Sequence, residues 1–166
     1  MALGQLPLLR RHIERSLNLG MTPEQVVEVF IQLTFYVGVP SVETAMRTTN
    51  AVFEARGIDF VPKPSYDTNK TPDELFAMGQ QSYAEHISES ILYPVEDPDS
   101  VEMDVERLID EYHWGAIYTR PNLDPVSRAI CALSAMTVLG QYDRQIRRRI
   151  EGALKVGVTP QQIMEI

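Results

Sequence analysis

Few side chains in this sequence combine a reactive type with an informative position. Cys131 is the only cysteine, which excludes an intramolecular disulfide and every Cys-x-x-Cys redox or zinc motif. It lies in a small-residue apolar segment, where a free thiol packs as a small hydrophobe. His12 stands between Arg11 and Glu14 on an amphipathic segment. Its side-chain type titrates nearest neutrality and suits proton transfer, although the position alone equally describes a surface histidine. Glu28 and Gln32 are one turn apart on a strongly apolar segment, and a carboxylate there needs a partner or a function. Tyr36-x-Gly38-x-Pro40 reads as a useful phenol or as a helix stop with an aromatic packing residue. Trp114-Gly115 and Arg120-Pro121 divide in the same way, between ligand contact and the closing of a helix or turn. Arg128 is expected to pair with Asp124 one turn back.

The elements that position these residues all read as helices. Thr22-Pro23, Thr71-Pro72 and Thr159-Pro160 share one start device. Threonine caps free amides, proline fits the first turn, and a Gln or Glu three residues after the threonine closes a capping box. Gly20, Gly57 and Gly157 mark helix stops. Helices are expected at about 5–19, 23–37, 41–56, 72–89, 101–113, 124–139 and 142–156, with a fragment from 160. Irregular connectors fall at 57–70 and 93–100. Sustained alternation typical of strands is missing, so the expected fold class is all-α. The segment from Pro23 to Val37 is apolar around almost its whole circumference, which calls for a central core position or burial by a neighbouring subunit.

The end of the chain also repeats its beginning. Leu3-Gly4-Gln5 returns as Leu139-Gly140-Gln141, Arg10-Arg11 as Arg147-Arg148, and Ile13-Glu14 as Ile150-Glu151. Gly20-x-Thr22-Pro23-x-Gln25-x-x-Glu28 returns as Gly157-x-Thr159-Pro160-x-Gln162-x-x-Glu165. With Leu17 and Leu154, that makes thirteen identities at a period of about 137 residues, the signature of a duplicated domain rather than a solenoid. The expected organisation is part of a first unit at 1–60, a connector with one helix at 61–100, and part of a second unit at 101–166. Both units read as cut short at the outer ends.

A net charge of −8 argues against a nucleic-acid surface. Arg147-Arg148-Arg149 is the only basic cluster and reads as a solvated helix face. No segment has the length of a membrane span or the pattern of a signal peptide, and a cytoplasmic location follows by default.

The stretch Arg10 to Gln25, followed by Phe35-Tyr36-Val-Gly38-Val-Pro40, resembles the carboxymuconolactone decarboxylase family. So does His113-Trp114-Gly115-Ala-Ile-Tyr118-Thr-Arg120-Pro121-Asn-Leu123-Asp124-Pro-Val-Ser-Arg128. The resemblance spans the chain apart from the two connectors. It implies an all-α, AhpD-like fold of tandem helical units, assembled into homo-oligomers, commonly trimers or hexamers. The thiol peroxidases of that superfamily place a Cys-x-x-Cys pair before the histidine matched by His12. Here Gln5 and Leu8 stand at those positions, so disulfide-based turnover is excluded. In the second copy Arg149 replaces the histidine, which points to a catalytic site in the first copy alone.

The decarboxylase branch removes carbon dioxide from a small lactone acid without cofactor or metal. That reaction asks for apolar walls beside the leaving carboxylate, a donor for the developing charge and an acid to protonate carbon. The resemblance assigns His12 as that acid, oriented by Glu28, with Tyr36 as a further catalytic residue. Trp114, Tyr118 and Arg120 are expected to bind the substrate. A non-catalytic oligomeric scaffold or small-ligand binder, and a lactone hydrolase or isomerase, remain as alternatives. An enzyme should hold His12 in a cleft beside a second polar group, whereas a scaffold should leave it in open solvent.

Overall fold

The computed structural model describes residues 4–62, 67, 69–87, 101–140 and 143–166. Among them the elements are α1 (Leu6–Asn18), α2 (Pro23–Gln32), α3 (Thr34–Val37), α4 (Val39–Ala55), α5 (Pro72–His86), α6 (Val101–Leu108), a π-helix (Ile109–Ile117), α7 (Pro125–Leu139), α8 (Asp143–Val156) and α9 (Pro160–Met164). No strand occurs among the described residues, and the architecture is all-α as expected. The 93–100 connector lies outside the described residues, as does the end of the helix expected over 72–89.

Local chemistry sets the helix ends. All three threonines close capping boxes: Thr22 with Gln25, Thr71 with Glu74, and Thr159 with Gln162. The repeat is also visible in the stop between α1 and α2. The Met21 N–H donates to the Ser16 carbonyl at 3.0 Å, and the equivalent Val158 N–H donates to Ala153 at 2.9 Å. Gly20 and Gly157 sit at φ 97° and 105°, a conformation that costs any residue with a Cβ. Thus α1 corresponds to α8, and α2 to α9.

Leu9, Ile13, Val26, Phe30, Val52 and Phe53 build a core between α1, α2 and α4. A second cluster joins Ile87, Trp114 and Tyr118, and a third joins Leu133, Ala153 and Val158. The apolar helix expected over 23–37 is two helices, because the chain breaks at Leu33. The break turns α3 so that the Phe35 and Tyr36 rings reach His113, at centroid distances of 5.2 and 5.3 Å. Within the chain, α2 is central: it packs on α1, α4, α7 and the π-helix. Val26, Val27 and Phe30 are buried by these neighbours, whereas Val29 and Ile31 stay partly exposed and Phe35 on α3 is 46% exposed.

The helix expected to end at His113 instead widens at Ile109 and continues to Ile117, where the Tyr118 N–H reaches back five residues to the His113 carbonyl at 3.0 Å. Gly115 does not close a helix. It lets the π-helix and α5 touch backbone to backbone, since a Cβ there would overlap the Leu75 carbonyl, and Gly79 plays the same part against Asp110. Gly115→Ala is expected to lose about 1–3 kcal/mol of stability, the cost of overpacking against atoms that cannot rotate away. A urea titration of Gly115→Ala beside wild type measures the loss, and Gly79→Ala, whose Cβ would meet the Asp110 carbonyl, should behave alike.

Candidate functional site

Two polar constellations occupy the interior. The first is ionic. Glu28 is fully buried on α2, and both its carboxylate oxygens accept from Arg120 Nε at 2.9 Å. Arg128 Nη2 donates to Glu28 Oε1 at 3.1 Å and to the Arg120 carbonyl at 2.7 Å. Arg128 Nη1 donates to Gln32 Oε1 at 2.9 Å, and Gln32 Nε2 donates to the Arg128 carbonyl at 2.7 Å. This network staples the first repeat to the second. Arg128 does not pair with Asp124, because Asp124 serves as the N-cap of α7 and accepts from Ser127. Glu28 makes no hydrogen bond to His12, because it is buried against the two arginines while His12 is exposed on α1.

The second constellation lines a cavity of about 520 Å³ between α3, α5, α6, the π-helix, α7 and α8. Tyr36 Oη lies 3.2 Å from both His113 Nε2 and Tyr118 Oη. From α8, Arg149 Nη1 donates to Tyr118 Oη at 2.9 Å, and Arg149 Nη2 stands 3.0 Å from His113 Nε2. A guanidinium can only donate, so His113 Nε2 must accept, and the imidazole is neutral with its proton on Nδ1. Burial holds the His113 pKa well below the usual histidine range, and the charges of Arg149 and Arg128 add to it. Burial also lifts the Tyr36 phenol well above the usual tyrosine range, against the pull of Arg149. For Arg149 itself, burial pulls the pKa down, but the phenol oxygens of Tyr118 and Tyr36 more than offset it. The cavity thus holds the Arg149 cation, a neutral imidazole and the neutral Tyr36 phenol, with Arg148 and Glu106 also on its lining.

A pH dependence follows. A buried histidine with a depressed pKa stabilises the fold fully above its unfolded value, near 6.5, and that stability is lost as pH falls below it. His86, also lowered by burial, acts in the same direction. Urea midpoints are expected to fall between pH 7 and pH 5, and the fall should be shallower in His113→Gln.

The structure brings Tyr36, Trp114 and Tyr118 together at or beside this cavity, while Glu28 and Arg120 belong to the ionic network. His12 is exposed on α1, and its ring has no hydrogen-bonding partner among the described residues. The equivalent of His12 in the second copy, Arg149, faces the cavity instead. His113, Arg148 and Arg149 are the cavity residues that residue type alone did not single out. The repeat held the signal for Arg149, because it occupies the family's histidine position. Burial pushes the half-buried Cys131 thiol up to about 11, consistent with a packing role.

An all-α chain with two copies of one helical hairpin, and an aromatic cavity beside the second, defines an AhpD-like protein without the thiol pair. The model of the carboxymuconolactone decarboxylase family matches residues 1–51 and 104–166, well over half of the sequence, and the chain belongs to that family. No curated protein and no solved structure matches it. Among the described residues, no helix is long and apolar enough to cross a membrane, and no cluster of metal-ligating side chains occurs.

Proposed function

We propose that the cavity is an active site for cofactor-free decarboxylation of a small lactone carboxylic acid. The observation that carries this reading is the set of Tyr36, His113, Tyr118 and Arg149 in mutual hydrogen-bonding reach inside aromatic walls. The substrate's leaving carboxylate would lie against the apolar wall of Phe35 and Met136, where loss of charge is favoured. Its C–C bond breaks, carbon dioxide departs, and the electron pair passes into the lactone as an enolate in the field of Arg149. Tyr36 then gives its Oη proton to carbon. The resulting phenolate is held by Arg149 until a proton from water restores it. No electron acceptor is needed, because the electron pair stays on the substrate.

This reading moves the acid from His12 to Tyr36 and the charge stabiliser to the second copy. The remaining proposals are those of the sequence: a homo-oligomer such as a trimer or hexamer, a cytoplasmic location, and units at 1–60 and 101–166 joined by the 61–100 connector. An absorbance assay with 4-carboxymuconolactone tests the reaction. Turnover that survives His12→Ala is the expected result, and no turnover by a folded wild-type protein would end the decarboxylase reading. Exposure of His12 favours a second reading, a small-ligand binder that kept the fold without catalysis, which predicts ligand binding with no product.

A further inference from the structure

We propose that Arg149 is a receptor for the carboxylate of a flat, conjugated acid, held edge-on among the aromatic side chains of the cavity. The inference rests on the cavity being the ligand site, and it names what that site selects. Arg120 and Arg128 both pair with Glu28. By contrast, Arg149 has no carboxylate partner among the described residues, and its acceptors there are Tyr118 Oη and the neutral His113 Nε2. A half-buried guanidinium is stabilised by a counter-ion, and its remaining N–H groups match a carboxylate in their own plane.

The shape of the ligand follows from what covers the guanidinium. The Arg149 Cζ lies 4.5 Å from the Trp114 ring centroid and 5.5 Å from those of Tyr118 and Tyr36. Aromatic rings therefore surround the guanidinium, and the N–H groups not engaged by Tyr118 and His113 are what remain for a ligand. Phe35, Tyr83 and Trp114 line the space beyond, together with Ile109, Met136 and Glu106, and the aromatic members offer faces on which a flat ring can pack. The first copy has His12 at the equivalent position, exposed, so this receptor belongs to the second copy alone. A carboxylate paired with Arg149 is also stabilised against loss. In a decarboxylation it would be a retained group, and the departing one must be a second acid on the same molecule.

Trp114 is the only tryptophan, so its emission reports on the cavity directly. Benzoate, cyclohexanecarboxylate and benzamide are titrated into wild type, Arg149→Gln and Arg149→Lys, with urea midpoints confirming that each variant is folded. Benzoate is expected to give a saturable change, with cyclohexanecarboxylate about tenfold weaker and benzamide silent. Arg149→Gln should weaken benzoate by about thirtyfold, roughly 2 kcal/mol, and Arg149→Lys should recover part of it. The proposal is overturned by a silent benzoate titration, by equal binding of benzamide or cyclohexanecarboxylate, or by unchanged affinity in a folded Arg149→Gln protein. Turnover of the lactone with benzoate silent would remove the receptor and leave the decarboxylase. Benzoate binding without lactone turnover would do the reverse.

Discussion

Glu28→Ala is expected to cost about 3–5 kcal/mol of stability, a large share of the roughly 5–15 kcal/mol that holds a domain of this kind together. The carboxylate is inaccessible to solvent and is bound by Arg120 and by Arg128, which is itself only 1% exposed. Its removal leaves two guanidiniums facing each other around a cavity, with no water to replace the lost charge. Glu14→Ala is the matched control. That glutamate pairs with Arg10 at 3.0 Å on an open helix face, where such a pair is worth less than about 1 kcal/mol. Urea denaturation of both variants beside wild type measures the contrast. Equal losses would mean that the buried network is no more important than a surface pair.

Tyr36→Phe should reduce turnover of the lactone acid by about 10²–10⁴-fold, the usual worth of a positioned proton donor. The substitution keeps the ring that packs on His113 and deletes only the hydroxyl shared with His113 and Tyr118. Fold and cavity volume should therefore survive, and KM should change far less than kcat. Tyr118→Phe is the informative companion. Tyr118 Oη accepts from Arg149, so its loss should disturb the placement of the cation and raise KM as well. A Tyr36→Phe enzyme with full kcat would take the proton donor away from this residue and point to water or to Tyr118.

The helix starts and stops were legible because they depend on neighbours in sequence. A threonine finds its capping partner three residues on, and a glycine accepts a positive φ wherever it stands. The resemblance to a family was legible too, through Arg10–Gln25 and His113–Arg128. What escaped were choices made by residues far apart. Asp124 and Glu28 both suit Arg128, and only the folded chain shows that Asp124 is engaged at the cap while Glu28 arrives from α2. The break at Leu33 carries no glycine or proline to announce it, and beyond it two aromatic rings pack on His113. The π-helix likewise lies where α5 approaches closely at Gly79 and Gly115. His12 looked like the reactive member of its pair, whereas the sequence alone did not reveal that its partner Arg149 is the one enclosed.

The Glu28–Arg128 pair joins residues 100 positions apart, with Gln32–Arg128 at 96 and Glu28–Arg120 at 92. Loop closure over such a distance is paid before these contacts return anything. Helices α1, α2 and α4 share a core of short sequence separation and can assemble ahead of it. The ionic staple is therefore expected to form late, so that Glu28→Ala should leave the folding rate almost untouched and mainly speed unfolding. A buried carboxylate in the first repeat thus acts as a latch on the lifetime of a cavity assembled around the second.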